Sequence, residues 1–509
     1  MTRPLAHRGP DDSGCWIDGG AGIGLGHRRL SIVDLSPAGH QPMLSANGRF
    51  VLTYNGEIYN HHDIRRDLEA MNAVPEEGWR GHSDSEVLLQ AIVTWGLRAA
   101  LERSVGMFAL GLWDRHERTL SLARDRFGEK PLYYGWAGKD FLFGSELKAL
   151  TSHPNFNARI RRRAMGPFAA RTYVPPPDSI YEGVFKLLPG CILTVRGEAS
   201  ARPRTMAPLE GRREDGVRLE RYWSYADVVL RGLDDTIDDE QDALDELERA
   251  LAIAIQGQSM ADVPVGAFLS GGVDSSTVVA LYQKYSSIPI RTYSIGFEQS
   301  AFNEAEDAKR VAAHLGTVHH EQYVTAAEAS DVIPLLPTMY DEPFADSSQI
   351  PTYLVSRFAR DQVTVGLTGD GGDELFAGYN RHFVAPWLWD QLQRVPKPLR
   401  SVTGAPLSRI PSRIWSGLGG LLPGRRQPHF GGKLQKAFRV AATARTFDDV
   451  YCSFLDEWSF EASPVIGADP GDNRFDLDLG KAVPDVVRMM YCDAMTYLPG
   501  DILAKVDRA

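Results

Sequence analysis

The sequence is poor in cysteine. Only four occur, Cys15, Cys191, Cys452 and Cys492, and they lie far apart. No CxxC pair or Cys/His cluster is present, which excludes a disulfide-stapled scaffold and a zinc module. A reducing compartment, the cytoplasm, is the simplest expectation. Long hydrophobic runs are also missing. No stretch of about 18 apolar residues occurs, so no membrane span is expected. The opening MTRPLAHRGP lacks the apolar centre of a secretory signal. Positive charge is in deficit: 55 Lys plus Arg face 66 Asp plus Glu, a formal net charge of −11. A protein that wraps nucleic acid needs surplus cations, so that class is excluded.

What is present is an ordinary globular composition, 43% hydrophobic and 24% charged. At 509 residues the chain is too long for one core and predicts roughly two to four domains of ~150 residues. Residues 1–195 read as short strands and turns with a few helices, a layered α+β arrangement. VLTY (51–54) runs into the turn dipeptide Asn55-Gly56. Further strands are expected at 108–113, 120–123, 132–136 and 141–144, and Ser83 can cap a helix over 84–95. Residues 196–235 predict a linker, since 196–218 carry no apolar period. The third region is 236–509. Leu244, Leu247, Leu251 and Ile255 predict one buried helix face. From Val263, apolar strands alternate with amphipathic helices, the pattern of a parallel α/β sheet. A Pro/Gly/Arg-rich stretch (396–432) interrupts it, and a helical C-terminal part follows.

SGGVDSS (270–276) sits between a predicted strand and a predicted helix. Glycines let backbone approach a phosphate, and the helix N-terminus offers free N–H groups to an anion. Ser270 and Ser275 can add hydroxyl donors. Asp274 would repel phosphate unless it held Mg²⁺. The GxxxxGK[ST] spacing is absent, so this is not a Walker A loop. A bare Gly-rich turn is the plain alternative. Ile295 closes a later strand, where its backbone can meet an adenine; taken without its neighbours, a plain core residue is the preferred reading. TGDGGDE (368–374) closes another strand with three carboxylates, Asp370, Asp373 and Glu374, an arrangement that a cation shared by Asp274 and Asp373 explains.

Four polar stretches mark residues 1–90: AHRGPDDSG, HRRLSIVD, YNGEIYN and SDSEV. Arg29 can pair with an α-carboxylate as a fork. Glu57 and Asp84 can accept from an α-ammonium. Asn55 and the Gly56 N–H can form an oxyanion hole.

Both halves resemble the glutamine-hydrolysing asparagine synthetase family. GMFALGLWD, ARDRFGEKPLYY and GSELKAL continue the first series of motifs. SGGVDSS, YSIGF, HLGTVHH, YDEPFADSSQIPTYLVS and TGDGGDELFAGYNR form the second, and the match runs through nearly the whole chain. The resemblance implies an Ntn-hydrolase αββα sandwich (1–195). It also implies a doubly wound parallel α/β domain (236–509) of the PP-loop ATP pyrophosphatase, or adenine nucleotide alpha hydrolase, type. It implies ammonia release from glutamine, β-aspartyl-AMP formation with ATP and Mg²⁺, and ammonia passage through an internal channel. By position, Arg29, Asn55, Gly56, Glu57 and Asp84 match glutamine-binding residues. Leu269, Ser270, Gly271, Gly272, Asp274, Ser275, Ile295, Thr368 and Gly369 match ATP contacts. Asp274 and Asp373 match metal ligands, and Asp370 matches the position tied to the intermediate. The expected partners are glutamine, aspartate and ATP, with no nucleic acid and no membrane, and a homodimer is left open.

The family's nucleophile is a cysteine directly after the initiator Met, activated by its own amino group. Thr2 stands at that position here and is expected to lie away from the site, and internal Cys15 is expected to be a plain strand residue. The chain is expected to be short at both ends relative to the family. Rival readings are an amidotransferase acting on another carboxylate, such as a sugar acid in polysaccharide biosynthesis, and a non-catalytic nucleotide-binding paralogue.

Overall fold

A computed structural model describes residues 1–197, 202–297, 304–419, 430–458, 464–466, 479 and 483–509. It divides into two compact units. One comprises 1–168, 172–371 and 494–509, and the other 169–171 and 372–493.

Among the described residues, the N-terminal part of the first unit holds twelve strands: β1 (Asp12–Asp18), β2 (Ile23–Arg29), β3 (Met43–Leu44), β4 (Phe50–Ile58), β5 (Gly106–Asp114), β6 (Thr119–Arg124), β7 (Tyr133–Ala137), β8 (Asp140–Gly144), β9 (Val184–Lys186), β10 (Cys191–Arg196), β11 (Arg213–Glu214) and β12 (Val217–Arg221). A seven-stranded sheet runs β11-β12-β10-β6-β5-β4-β3, a three-stranded sheet β8-β7-β9, and β1 pairs with β2. Strand alternation separates the two faces of β4. Leu52, Tyr54 and Ile58 pack with Leu68, Leu88 and Ile92 of the helices His61–Ala70 and Asp84–Trp95. Val51, on the other face, packs with Trp113, Leu193 and the second sheet's Tyr134 and Phe185. The outer face of that second sheet carries Tyr133 and Leu142 against Leu147, Leu150 and Met165 of two further helices. The order helix, sheet, sheet, helix is the expected αββα sandwich.

Two local expectations are corrected. Asn55-Gly56 is no turn, because β4 continues through both residues to Ile58, paired along its length with β5. Long-range pairing overrides the local dipeptide preference. The 196–235 stretch carries structure in its described part. β11 and β12 extend the sheet beside β10, Val217 and Leu219 are buried there, and the helix Tyr225–Asp234 follows.

The same unit contains a second, fully parallel sheet of β13 (Val265–Phe268), β14 (Arg291–Phe297), β15 (Val318–Val324) and β16 (Val365–Leu367), ordered β15-β14-β13-β16. The helices Glu240–Gln258, Val273–Tyr285 and Ala305–Leu315 cover one face through Ile255, Val279 and Ala312. The helix Gln349–Arg360 covers the other through Val355, Phe358 and Ala359. This is the doubly wound sheet that was expected. Strand order reverses between β13 and β16, the switch point where such sheets bind ligands. Helix Glu240–Gln258 is buried only at its C-terminal end, at Ala252 and Ile255, whereas Leu244 is 52% exposed and Leu247 37%. Only that end lies over the sheet.

The second unit is helical. Its core joins Ala385, Val440, Tyr451 and Met489. Despite its Pro and Gly, the described part of 396–432 is also helical, in Lys397–Ser408 and Ser412–Gly419. Among the described residues no helix is long and apolar enough to cross a membrane.

Candidate active site

A cavity of about 600 Å³ opens inside the first unit. Arg29, Asn55, Gly56, Glu57 and Asp84 all line it. The pleat accounts for two of them. Asn55 and Glu57 share the face of β4 that carries Val51, the face between the sheets. The Asn55 side-chain nitrogen Nδ2 is buried and has no hydrogen-bond partner. A buried amide donor left open toward a cavity is costly unless something fills it, and an oxyanion is such an acceptor. Gly56 has no room for a side chain, since a Cβ there would lie 2.1 Å from the Met107 carbonyl oxygen on β5. Glu57 is buried, and desolvation, with help from nearby Asp84, pushes its carboxyl up to about 8, while Lys130 opposes the shift.

Two of the five are already committed to the scaffold. Asp84 opens the helix Asp84–Trp95, behind the Ser83 cap, which accepts from the Glu86 N–H at 3.3 Å. Its Oδ2 accepts from the Tyr54 hydroxyl at 2.8 Å and from the Ile58 N–H at 2.9 Å. Arg29 donates through Nη1 to the Ser36 carbonyl at 2.9 Å and through Nη2 to the Asp34 carbonyl.

Thr2 also lines this cavity, contrary to expectation, and its methyl group would sit 2.5 Å from a Cβ on Gly26. Cys15 is exposed on β1. Sequence reasoning missed three further wall residues. Burial, with Arg29 beside it, depresses the His27 imidazole to about 4. Gln41 accepts from the Tyr54 N–H at 2.7 Å, and Lys130 lines the same wall. Their signal lay in the polar residues of the HRRL, HQPM and GEKP stretches.

At the parallel sheet, the turn after β13 leads into the helix Val273–Tyr285, whose N-cap is Gly272 with no side-chain cap. Its first N–H groups are therefore left for a ligand. Gly271 adopts φ +82°, and a Cβ there would meet the Ala308 backbone N at 2.8 Å. The Ser270 and Ser275 hydroxyls, expected as ligand donors, bond each other at 3.0 Å, and Ser275 donates to the Gly272 carbonyl at 3.2 Å. Both shape the turn. Leu269 is buried in the core. Ile295 packs beside Val324 and Leu354, so its side chain serves the core as well.

Thr368 and Gly369 follow β16. A Cβ on Gly369 would lie 2.8 Å from the Ser275 backbone N and 3.1 Å from the Asp274 Cβ. The glycine thus keeps the space before the helix N-terminus clear and brings the two strand ends together. Asp370 is exposed, its N–H donating to the Thr368 hydroxyl at 3.2 Å. In the second unit, Asp373 turns toward Gly378, where a Cβ would meet its Oδ1 at 1.7 Å. Glu374 is buried, accepts from the Tyr379 hydroxyl at 2.5 Å and is shifted upward by burial. Of the three carboxylates grouped by the sequence, Glu374 is thus a packing element. Among the described residues, no three His, Cys, Asp or Glu side chains gather so as to hold a metal by themselves.

Fold and cavity define an Ntn-type glutamine amidotransferase joined to a doubly wound α/β ligase domain. Residues 1–204 match the glutamine amidotransferase domain model and residues 246–509 the asparagine synthase model. The chain is 33% identical to the putative asparagine synthetase [glutamine-hydrolyzing] 2 of Methanocaldococcus jannaschii over 100% of its own length and 94% of that protein's. It is 30% identical to asparagine synthetase [glutamine-hydrolyzing] 1 of Bacillus subtilis, covering 100% and 73% respectively. The solved glutamine phosphoribosylpyrophosphate amidotransferase of B. subtilis aligns with 58% of this chain and 51% of its own, at 14% identity and a TM-score of 0.26, a similarity too slight to bear on the fold. The chain belongs to the asparagine synthase family.

Proposed function

We propose that this protein is an asparagine synthase of the glutamine-hydrolysing family; Thr2, which lines the glutamine-side cavity, stands where the family has its cysteine nucleophile. ATP activates the aspartate β-carboxylate as β-aspartyl-AMP, and ammonia from glutamine displaces AMP. The observation that carries the glutamine half is the buried, unpartnered Asn55 Nδ2 on a cavity wall shared with Arg29, Glu57 and Asp84. An amide carbonyl becoming an oxyanion gives that nitrogen its acceptor. Ionised Glu57 attracts the α-ammonium, and Arg29 draws the α-carboxylate by charge, its own donors remaining on Asp34 and Ser36. For the ATP half, the uncapped helix start takes the phosphates, with Thr368, Gly369 and Asp370 at the facing strand end. Asp274, half-buried in the first helical turn beside the clearance at Gly369, fits Mg²⁺ as a hard oxygen donor. When bound there, the ion supplies neutralising charge for the triphosphate. The names of the relatives, asparagine synthetases, support aspartate as acceptor. ATP–pyrophosphate exchange over a panel of acids tests the reading. Aspartate-dependent exchange is expected, and exchange only with another acid would move the acceptor elsewhere.

A further inference from the structure

The direction in which Arg29 points is set by the backbone that follows it. Its guanidinium donates to the Asp34 and Ser36 carbonyls and lies so close to Gly39 that a Cβ there would stand 1.9 Å from Nη2. Arg29 therefore moves only if Asp34 does. Asp34 is buried and adopts φ +58°. That left-handed conformation is costly for a residue with a side chain and persists where the surroundings fix it.

Every polar group of Asp34 is engaged. Its carbonyl receives Arg29. Its carboxylate accepts from the Ser36 N–H at 3.0 Å, the Ser36 hydroxyl at 2.5 Å and the His82 N–H at 3.0 Å. Its own N–H donates to the Asp262 carboxylate at 2.8 Å. Asp262 belongs to the asparagine synthase segment and stands just before β13, the strand that leads to the Ser270–Ser276 turn.

The same Asp262 oxygen accepts from His82 Nε2 at 2.7 Å, and the Asp262 N–H donates to the Ile32 carbonyl at 2.9 Å. The hydrogen bond to Asp262 raises the His82 imidazole above its ordinary value and lowers the Asp262 carboxyl below its own. His82 precedes the Ser83 cap and Asp84, so one carboxylate joins the Arg29 loop to the start of the helix that carries Asp84. The His82 and Asp262 side chains are 56% and 43% exposed, and an ion pair in water adds little to stability. What this contact supplies is position.

We infer that Asp262, supplied by the ligase half, is a positioning residue for glutamine: it fixes Asp34 and thereby holds the Arg29 cation toward the α-carboxylate. This inference rests on the proposed function and adds to it a residue from outside the amidotransferase segment. The test measures equilibrium binding of glutamine and of glutaminamide, which lacks the α-carboxylate charge. The proteins are the parent, Asp262→Ala, His82→Ala and His82→Gln. The parent is expected to prefer glutamine. Asp262→Ala should lose that preference severalfold, through weaker glutamine binding, with glutaminamide binding within about twofold of the parent's. His82→Ala should lose less, because the Asp34 N–H keeps its acceptor. His82→Gln can still donate to Asp262 and should restore the preference. An undiminished preference in Asp262→Ala overturns the inference. So does equal weakening of both ligands, since the contact would then serve the whole wall. Should Asp262→Ala melt far below the parent, His82→Ala decides by the same comparison. A parent that binds neither ligand, or both alike, instead sinks the proposed glutamine site, and the role of Asp262 falls with it.

Discussion

Asn55 and Glu57 sit two residues apart on one strand face, yet they make opposite predictions. Asn55 leaves its buried Nδ2 unpartnered, so the fold gains no hydrogen bond from that donor. Asn55→Ala should cut glutamine hydrolysis by roughly 10²–10³, the usual cost of one oxyanion donor, while the melting temperature stays within a few degrees. A collapse in melting temperature would make Asn55 structural. Glu57 is a matter of protons. Its carboxyl is lifted from 4.5 to about 8 in the fold, so between those values the native state holds more protons than the unfolded chain. Stability contributed at this position is therefore full below 4.5 and declines as pH rises to 8. Glu57→Gln cannot ionise, so its stability relative to the parent should rise across that window, by at most a few kcal/mol. Urea unfolding of both proteins at pH 5 and pH 8 measures the difference, and a flat difference removes the assignment. Glutamine should bind better as pH climbs toward 8, because an α-ammonium needs the ionised carboxylate.

At the scale of elements, glycines decide how close two strand ends come. Gly369 admits the β16 end against the Ser275 N–H, and Gly369→Ala must push it away. The KM for ATP in pyrophosphate exchange should rise by about tenfold or more with glutamine hydrolysis unaffected, and an unchanged KM would detach this turn from the nucleotide. Such a contact is partly legible beforehand. RTYSIGF became β14 residue for residue, because an apolar run between polar helices has one stable place in a doubly wound sheet. That Arg29, Asn55, Gly56, Glu57 and Asp84 would line one cavity was legible beforehand, since chemistry groups them even where chain distance does not. What escaped was the use each side chain finds in three dimensions. Ser270 and Ser275 are held by each other, Glu374 by Tyr379, and Asp84 by Tyr54 and the Ile58 N–H. Local sequence shows a donor or acceptor but not its partner. The Asn55-Gly56 dipeptide failed for the same reason, because β5 supplies the pairing that cancels the turn.

At the scale of the molecule, the first unit joins segments from both family domains through buried charge. Glu146 is wholly buried and receives Arg8 at 3.0 Å, His7 at 3.2 Å, Arg508 at 2.7 Å and Lys148. Two of its partners, Arg8 and His7, come from the chain start, and Arg508 comes from the segment that closes the unit. Desolvation alone would raise this carboxyl, but His7, Arg508 and Arg8 outweigh it and hold it far below its ordinary 4.5. A depressed carboxylate contributes stability that is present above its unfolded value and lost as pH falls through its folded one. Glu146→Gln keeps the shape and removes the charge, leaving Arg8 and Arg508 buried with less compensation. Breaking a buried pair in this way costs about 3–5 kcal/mol. Because the lost contacts tie the amidotransferase segment to residues 507–508, the loss should appear as lost cooperativity. Calorimetry should show the parent's melting split into two transitions in Glu146→Gln, with the difference shrinking in strong acid, where the parent carboxylate is protonated too. One sharp transition at an unchanged temperature would mean that packing alone, through Leu147, Leu150 and their neighbours, holds this part of the unit together.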